Sequence, residues 1–289
     1  MYLITGASGT VGKAVLKEVA KSGAKHRAMY RSAAEAAKAP AGTPTVLADF
    51  AKKEMLAPAL RDVTSVYLVC SPIPDLVALE DNMIEACGAA GVKHVVLNSA
   101  LGAGDYPKSF PSWHRQVENK LKSTGISSTI LRPNSFHQNV TTYYAPSIRT
   151  QGAFYASMGN ARVSYLDVRD IAVVAAKALA GGEHSGKIYE LNGPEALSYP
   201  ELATKISKHA GHPAQYVDIP VDAQRKAMLD QGMPAWQADA LLDLQAYYTG
   251  GRGGEVDSLL PRLLGRAPIS MDQFLAEFAG EFRSQAARA

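Results

Sequence analysis

Cysteine is almost missing from the chain: Cys70 and Cys87 are the only two in 289 residues. Two thiols cannot build a disulfide framework or a cysteine-rich metal site, so no metal is expected and a reducing cytoplasm fits. Charge of one sign is also scarce. The formal net charge is +3, and Lys and Arg are scattered, which excludes the basic stripe that nucleic-acid binding requires. Long apolar runs are missing as well. The most apolar helical stretch, residues 171–180, is too short to cross a bilayer and carries Lys177, so no membrane partner is expected. The opening Met1-Tyr2-Leu3-Ile4-Thr5-Gly6 has neither a basic leader nor a small-residue cleavage pattern, and no secretory signal is expected.

What is present suits one large α/β protein: 47% apolar residues with 24 Gly and 16 Pro, enough for a sizeable core. Short β-branched runs at residues 2–5, 26–30, 45–48, 65–70, 94–98 and 128–131 alternate with helical patterns. One of these, residues 11–20, repeats Val11, Val15, Leu16 and Val19 at helical spacing; another spans residues 76–90. The expected fold class is α/β, a Rossmann doubly wound parallel sheet with a smaller, mostly helical C-terminal substrate lobe. Residues 134–159 break the rhythm with Phe136, Tyr143, Tyr144, Phe154 and Tyr155, and read as a substrate-side insertion. The βα pattern returns at residues 163–166, where Asp167-Val168-Arg169-Asp170 opens a helix, and a strand at 188–191 is expected to extend the sheet. Helical patterns then occupy 200–209, 234–248 and 270–282, and the glycine-rich run 249–254 reads as a flexible connector. The expected division is 1–133 plus 162–192 for an NADP-binding Rossmann domain and 134–161 plus 193–289 for a substrate or cap lobe.

The chemistry begins at Gly6-Ala7-Ser8-Gly9-Thr10-Val11-Gly12, between a β-run and a helix. There, glycines make a tight turn and let backbone approach a pyrophosphate, which the helix N-terminus attracts with its free N–H groups. The second strand ends at Arg31, where an NAD-preferring site carries a carboxylate; a cation there favours NADPH, unless Arg31 is only a solvated loop charge. Asp49 and Phe50 are placed at the adenine. Cys70-Ser71-Pro72 and Asn98-Ser99-Ala100 close the next two strands at the carboxyl edge where ligands bind, although Cys70 serves packing equally well. Pro133 and Asn134 end the sixth strand and complete the expected cofactor contacts.

With Leu131-Arg132-Pro133-Asn134, Val168-Arg169-Asp170-Ile171-Ala172 and Tyr189-Glu190-Leu191-Asn192-Gly193, these motifs resemble, in order and spacing, the NmrA-like family of atypical short-chain dehydrogenases. That family includes quinone, azo-dye and triarylmethane reductases as well as cofactor-sensing regulators. Ordinary short-chain dehydrogenases use a Tyr-x-x-x-Lys pair, and this sequence contains none. In its place stands His114-Arg115-Gln116-Val117-Glu118, which resembles the quinone-reductase branch. On a helix His114 and Glu118 share a face, either as a catalytic pair or as an exposed pair without chemistry. His114 and Ser99 are the catalytic candidates; Trp113, His114, Asn134, Phe136, His137 and Asn139 are the substrate candidates. The resemblance implies an NADPH-dependent reductase of a small planar electrophile, a quinone, azo or imine compound, acting as monomer or homodimer. A non-enzymatic NADP(H) sensor that binds a protein partner is the alternative. An epimerase of the extended type is disfavoured because it needs the tyrosine base.

Overall fold

The computed structural model describes residues 1–283. In chain order the elements are β1 (Tyr2–Ile4), α1 (Thr10–Lys21), β2 (His26–Tyr30), α2 (Ala33–Ala36), β3 (Thr45–Leu47), α3 (Lys53–Ala59), β4 (Ser65–Leu68), α4 (Leu76–Ala89), β5 (His94–Asn98), α5 (Ser109–Ser123) and β6 (Ser127–Pro133). They continue as α6 (His137–Tyr143), α7 (Ala145–Gln151), β7 (Ala153–Ala156), β8 (Arg162–Val163), α8 (Val168–Ala178), β9 (Ile188–Leu191), β10 (Leu197–Ser198), α9 (Tyr199–Ala210), β11 (Gln215–Asp218), α10 (Val221–Asp230), α11 (Ala235–Thr249), α12 (Leu259–Leu264) and α13 (Met271–Glu277). The chain divides into two units. The first takes Met1–Pro133 and Val168–Glu190; the second takes Asn134–Asp167 and the chain from Leu191 onward.

The first unit is built on a seven-stranded sheet ordered β3-β2-β1-β4-β5-β6-β9. Tyr2 pairs with His26 on one side and Ser65 on the other, so the strand order reverses at β1 and β4, the switch point at whose carboxyl end α/β proteins hold ligands. β4 and β5 are buried along their whole length, as strands covered by helices on both faces must be. α1 turns Val11, Val15, Leu16 and Val19 inward, and α8 packs on it. On α4 and α5, Leu76, Met83, Ile84, Val117 and Leu121 close the core over Leu3, Val66 and Val95.

The second unit contains two small sheets and the remaining helices. β7 pairs in parallel with β11, and β8 pairs antiparallel with β10. The βα pattern read at residues 163–166 therefore ends in this local pairing, and β9 alone extends the main sheet. The aromatic segment supplies a core: Phe154 is fully buried, its ring 4.8 Å from that of Tyr144 and 5.6 Å from that of Tyr216, and the Tyr144 and Tyr199 hydroxyls meet at 2.8 Å. The segment's other aromatics divide between core and surface: Tyr144 is half-buried against Phe154, while Tyr143 and Tyr155 are exposed. The glycine-rich run also has a structural task. The Gly253 carbonyl accepts from the Ser164 backbone N–H at 2.9 Å and from the Asn134 side-chain amide at 2.9 Å. Two helices of this unit start with complete capping boxes, Ser198 with Glu201 and Ser270 with Gln273.

Candidate functional site

The turn after β1 is fixed by the absence of side chains. Gly6 has φ of +57°, and a Cβ there would meet the Val69 side chain at 2.6 Å; a Cβ on Gly12 would overlap the Gly6 carbonyl. Thr5 ties β1 to the segment after β4: its hydroxyl donates to the Tyr67 carbonyl at 2.9 Å and accepts from the Val69 N–H at 3.0 Å. Beyond these strand ends lies a crevice lined by Gly6, Ser8, Gly9, Arg31, Asp49, Phe50, Cys70 and Ser71. Of the other residues expected at the cofactor, Ala7, Val11 and Gly12 are buried around the turn, while Thr10 and Pro72 are exposed. Asp49 holds its own turn by accepting from the Ala51 N–H at 3.0 Å. Burial pushes the Cys70 thiol up to about 12, so it lines the wall as a neutral group.

A second set of polar groups lies at the end of β5. Asn98 is buried and accepts from the Tyr67 hydroxyl at 3.0 Å. Ser99, 2% exposed, donates to Glu118 Oε1 at 2.7 Å. Arg132 grips the same carboxylate through Nε at 2.9 Å and Nη2 at 2.7 Å. Burial alone would raise the Glu118 carboxyl, but the hydrogen bonds from Arg132 and Ser99 outweigh it and hold it below the ordinary carboxylate range. Leu101 extends the link, its N–H donating to the Pro133 carbonyl at 3.0 Å.

His114 sits one helical turn before Glu118 on α5 and is buried. The expected His114–Glu118 pairing gives way to Glu118–Arg132, because a bidentate guanidinium outcompetes an imidazole for one carboxylate. His114 Nδ1 is left buried without a hydrogen bond. Burial drives the imidazole down to about 4, with the Glu118 charge opposing only in part, so His114 is neutral at pH 7. Trp113 beside it is half-buried and meets Phe110 edge-on at 5.3 Å.

The remaining substrate candidates belong to the second unit. Asn134 is a structural hub: its amide nitrogen donates to Ser164 Oγ at 2.9 Å and Asn192 Oδ1 at 3.1 Å, and its oxygen accepts from the Tyr248 hydroxyl at 3.1 Å. His137 is fully buried, with its ring 5.4 Å from Phe274 and Nδ1 3.7 Å from Asp167 Oδ2. Asn139 donates to Ser135 Oγ at 3.2 Å, and Phe136 precedes α6 half-buried.

Three charged groups escaped the sequence reading. Arg132 was visible only as part of a motif, although it sets the charge of Glu118. Glu35 reaches back to Ser8, its carboxylate accepting at 3.1 Å. Glu80 on α4 is completely buried without a well-formed hydrogen bond, and burial raises its carboxyl to about 8 against the opposing Cys70 backbone. Among the described residues, no His, Cys, Asp and Glu side chains group to hold a metal ion, and no helix is long and apolar enough to cross a membrane.

Comparison with known proteins agrees with this arrangement. The NAD(P)H azoreductase of Xenophilus azovorans is 34% identical over 284 residues, spanning 98% of this chain and 99% of that protein. The (4-alkanoyl-5-oxo-2,5-dihydrofuran-3-yl)methyl phosphate reductase of Streptomyces griseus is 32% identical over 98% of this chain and 99% of its own length. The crystal structure of an NADPH-dependent quinone oxidoreductase from Escherichia coli complexed with NADPH superposes with a TM-score of 0.89 at 28% identity, covering 96% of this chain and 99% of that one. The NmrA-like family pattern matches residues 2–260, and the chain belongs to that family.

Proposed function

We propose that the chain is an NADPH-dependent oxidoreductase that passes hydride to a small planar electrophile, a quinone or azo compound being the leading class. The observation that carries this reading is the glycine turn at the β1–β4 switch point, whose glycines leave room for a pyrophosphate and whose crevice carries Arg31 at its mouth. The relatives named as NAD(P)H azoreductase and NADPH-dependent quinone oxidoreductase support it over nearly the whole chain.

In this reading the turn from Gly6 to Gly12 holds the pyrophosphate, Arg31 the 2′-phosphate, and Asp49, Phe50 and the Cys70 wall the adenosine. When bound, NADPH supplies the hydride. The chain's own residues position and polarise. Glu118, locked by Arg132, fixes Ser99 at the end of β5. His114 stays neutral and serves as a hydrogen-bond donor toward the acceptor atom on which negative charge builds. For a quinone, that hydride and one solvent proton would together give the hydroquinone. Trp113 offers a flat wall, and a reducing cytoplasm is the working compartment. The test is turnover of purified protein with NADPH against a panel of quinones, azo dyes and imines. Tight NADPH binding with no turnover on any of them would favour the cofactor-sensing alternative.

A further inference from the structure

Ser32-Ala33-Ala34-Glu35 has the spacing of a capping box, like the two complete boxes of the second unit. Only half of it forms. Ser32 Oγ accepts from the Glu35 N–H at 3.2 Å, but the Glu35 carboxylate forgoes the local return bond and reaches 27 residues back to Ser8 in the glycine turn. Its charge is also felt at the end of β2: the Tyr30 phenol is raised by burial first and by Glu35 second. Tyr30, Ser8 and Arg31 all line the same crevice. A carboxylate and a guanidinium therefore flank the place where the second strand ends, where sequence reading expects the cation alone.

We propose that Glu35 is a specificity-determining residue, its carboxylate offering an acceptor to an unphosphorylated ribose 2′-hydroxyl and opposing a 2′-phosphate, so that the crevice takes NADH as well as NADPH. This rests on the cofactor reading of the crevice given above. The two ligands differ there by a group of nearly two negative charges, which Arg31 attracts and Glu35 repels. A hydroxyl, by contrast, donates to a carboxylate and, carrying no charge, gains far less from a cation than a phosphate does. The opposed pair thus narrows the preference that Arg31 alone would set.

The experiment is to titrate NADPH and NADH separately into wild type, Glu35→Gln, Glu35→Lys and Ser8→Ala at one fixed low salt concentration, following binding by calorimetry. Exposed charge pairs are weak and a nearly doubly charged phosphate strengthens them, so Glu35→Gln is expected to tighten NADPH about three- to tenfold. NADH should be unchanged or weaker. Glu35→Lys should tighten NADPH further while weakening NADH. Equal weakening of both cofactors by Glu35→Gln, reproduced by Ser8→Ala, would overturn the proposal by showing that Glu35 only anchors the turn. No change in either cofactor would overturn it too. Failure of the wild type to bind either cofactor would be a different result, removing the cofactor reading itself and this inference with it.

Discussion

Replacement of His114 by alanine tests the proposed chemistry most directly. Burial lowers the imidazole to about 4, so at pH 7 only about one molecule in a thousand carries imidazolium. A general acid present at that level is a poor proton source. The neutral ring still donates one N–H, and a hydrogen bond to a group gaining negative charge contributes about 1.5–3 kcal/mol. His114→Ala is therefore expected to lower kcat by roughly 10- to 150-fold, with NADPH affinity changed less than about threefold. His114→Gln, which keeps a donor, should recover part of the loss. Wild-type kcat should show no histidine titration between pH 5.5 and 8. The same burial gives a stability signature. The folded value lies below the unfolded 6.5, so the His114 contribution is fully present above pH 6.5 and is lost as pH falls toward 4. The assay is steady-state kinetics of the three proteins across pH 5–8.5 with one quinone. A rise in kcat with an apparent pKa near 6.5 that vanishes in His114→Ala would refute the reasoning, because imidazolium would then be the working acid. So would a kcat loss under threefold.

Arg31→Asp should weaken NADPH by roughly tenfold or more and shift preference toward NADH, since it exchanges a phosphate-binding cation for a hydroxyl acceptor; titration of both cofactors checks it. Arg132→Leu strands the buried Glu118 carboxylate and should destabilise the fold by about 3–5 kcal/mol in urea unfolding, while the Arg132→Leu, Glu118→Leu double variant should regain most of that loss. Glu80→Met should stabilise. The folded carboxyl is raised to about 8 against 4.5 unfolded, so its contribution is complete below pH 4.5 and lost as pH rises through 8; the gain at pH 7 is on the order of 3 kcal/mol and should vanish at pH 4 in paired unfolding curves.

The strands were legible because buried parallel strands write themselves as short β-branched runs: all six expected in the first half are present, and β5 matches its expected limits, His94–Asn98. The glycine turn was legible for a related reason, since Gly6 and Gly12 are dictated by space that a Cβ would fill. At residues 163–166 apolar content gave a strand its identity but not its partner: β8 pairs with β10, while the strand expected to extend the sheet, residues 188–191, does so as β9. The aromatic segment, read as a substrate-side insertion, also puts Tyr144 and Phe154 into a local core; aromatic residues suit both ligand pockets and cores, and composition does not separate the two.

Charge was the least legible property of the site, and Glu118, His114 and Glu80 show why. All three lie on the adjoining helices α4 and α5 and all are buried, yet they end in different states. Glu118 is ionised because Arg132, 14 residues away, and Ser99, 19 residues away, supply hydrogen bonds worth more than the lost hydration. His114 loses its proton because burial outweighs the opposing charge of its helical neighbour Glu118. Glu80 keeps its proton because burial outweighs the opposing Cys70 backbone and no cation faces it as Arg132 faces Glu118. Helical spacing alone paired His114 with Glu118, whereas in the fold the strand-borne Arg132 and Ser99 take the carboxylate. At neutral pH the isolated buried acid and the isolated buried imidazole are both uncharged, and the one buried carboxylate of the three is matched by its guanidinium. In the proposed reaction such a site would add no net charge to an incoming uncharged acceptor before hydride arrives, leaving the final proton to solvent.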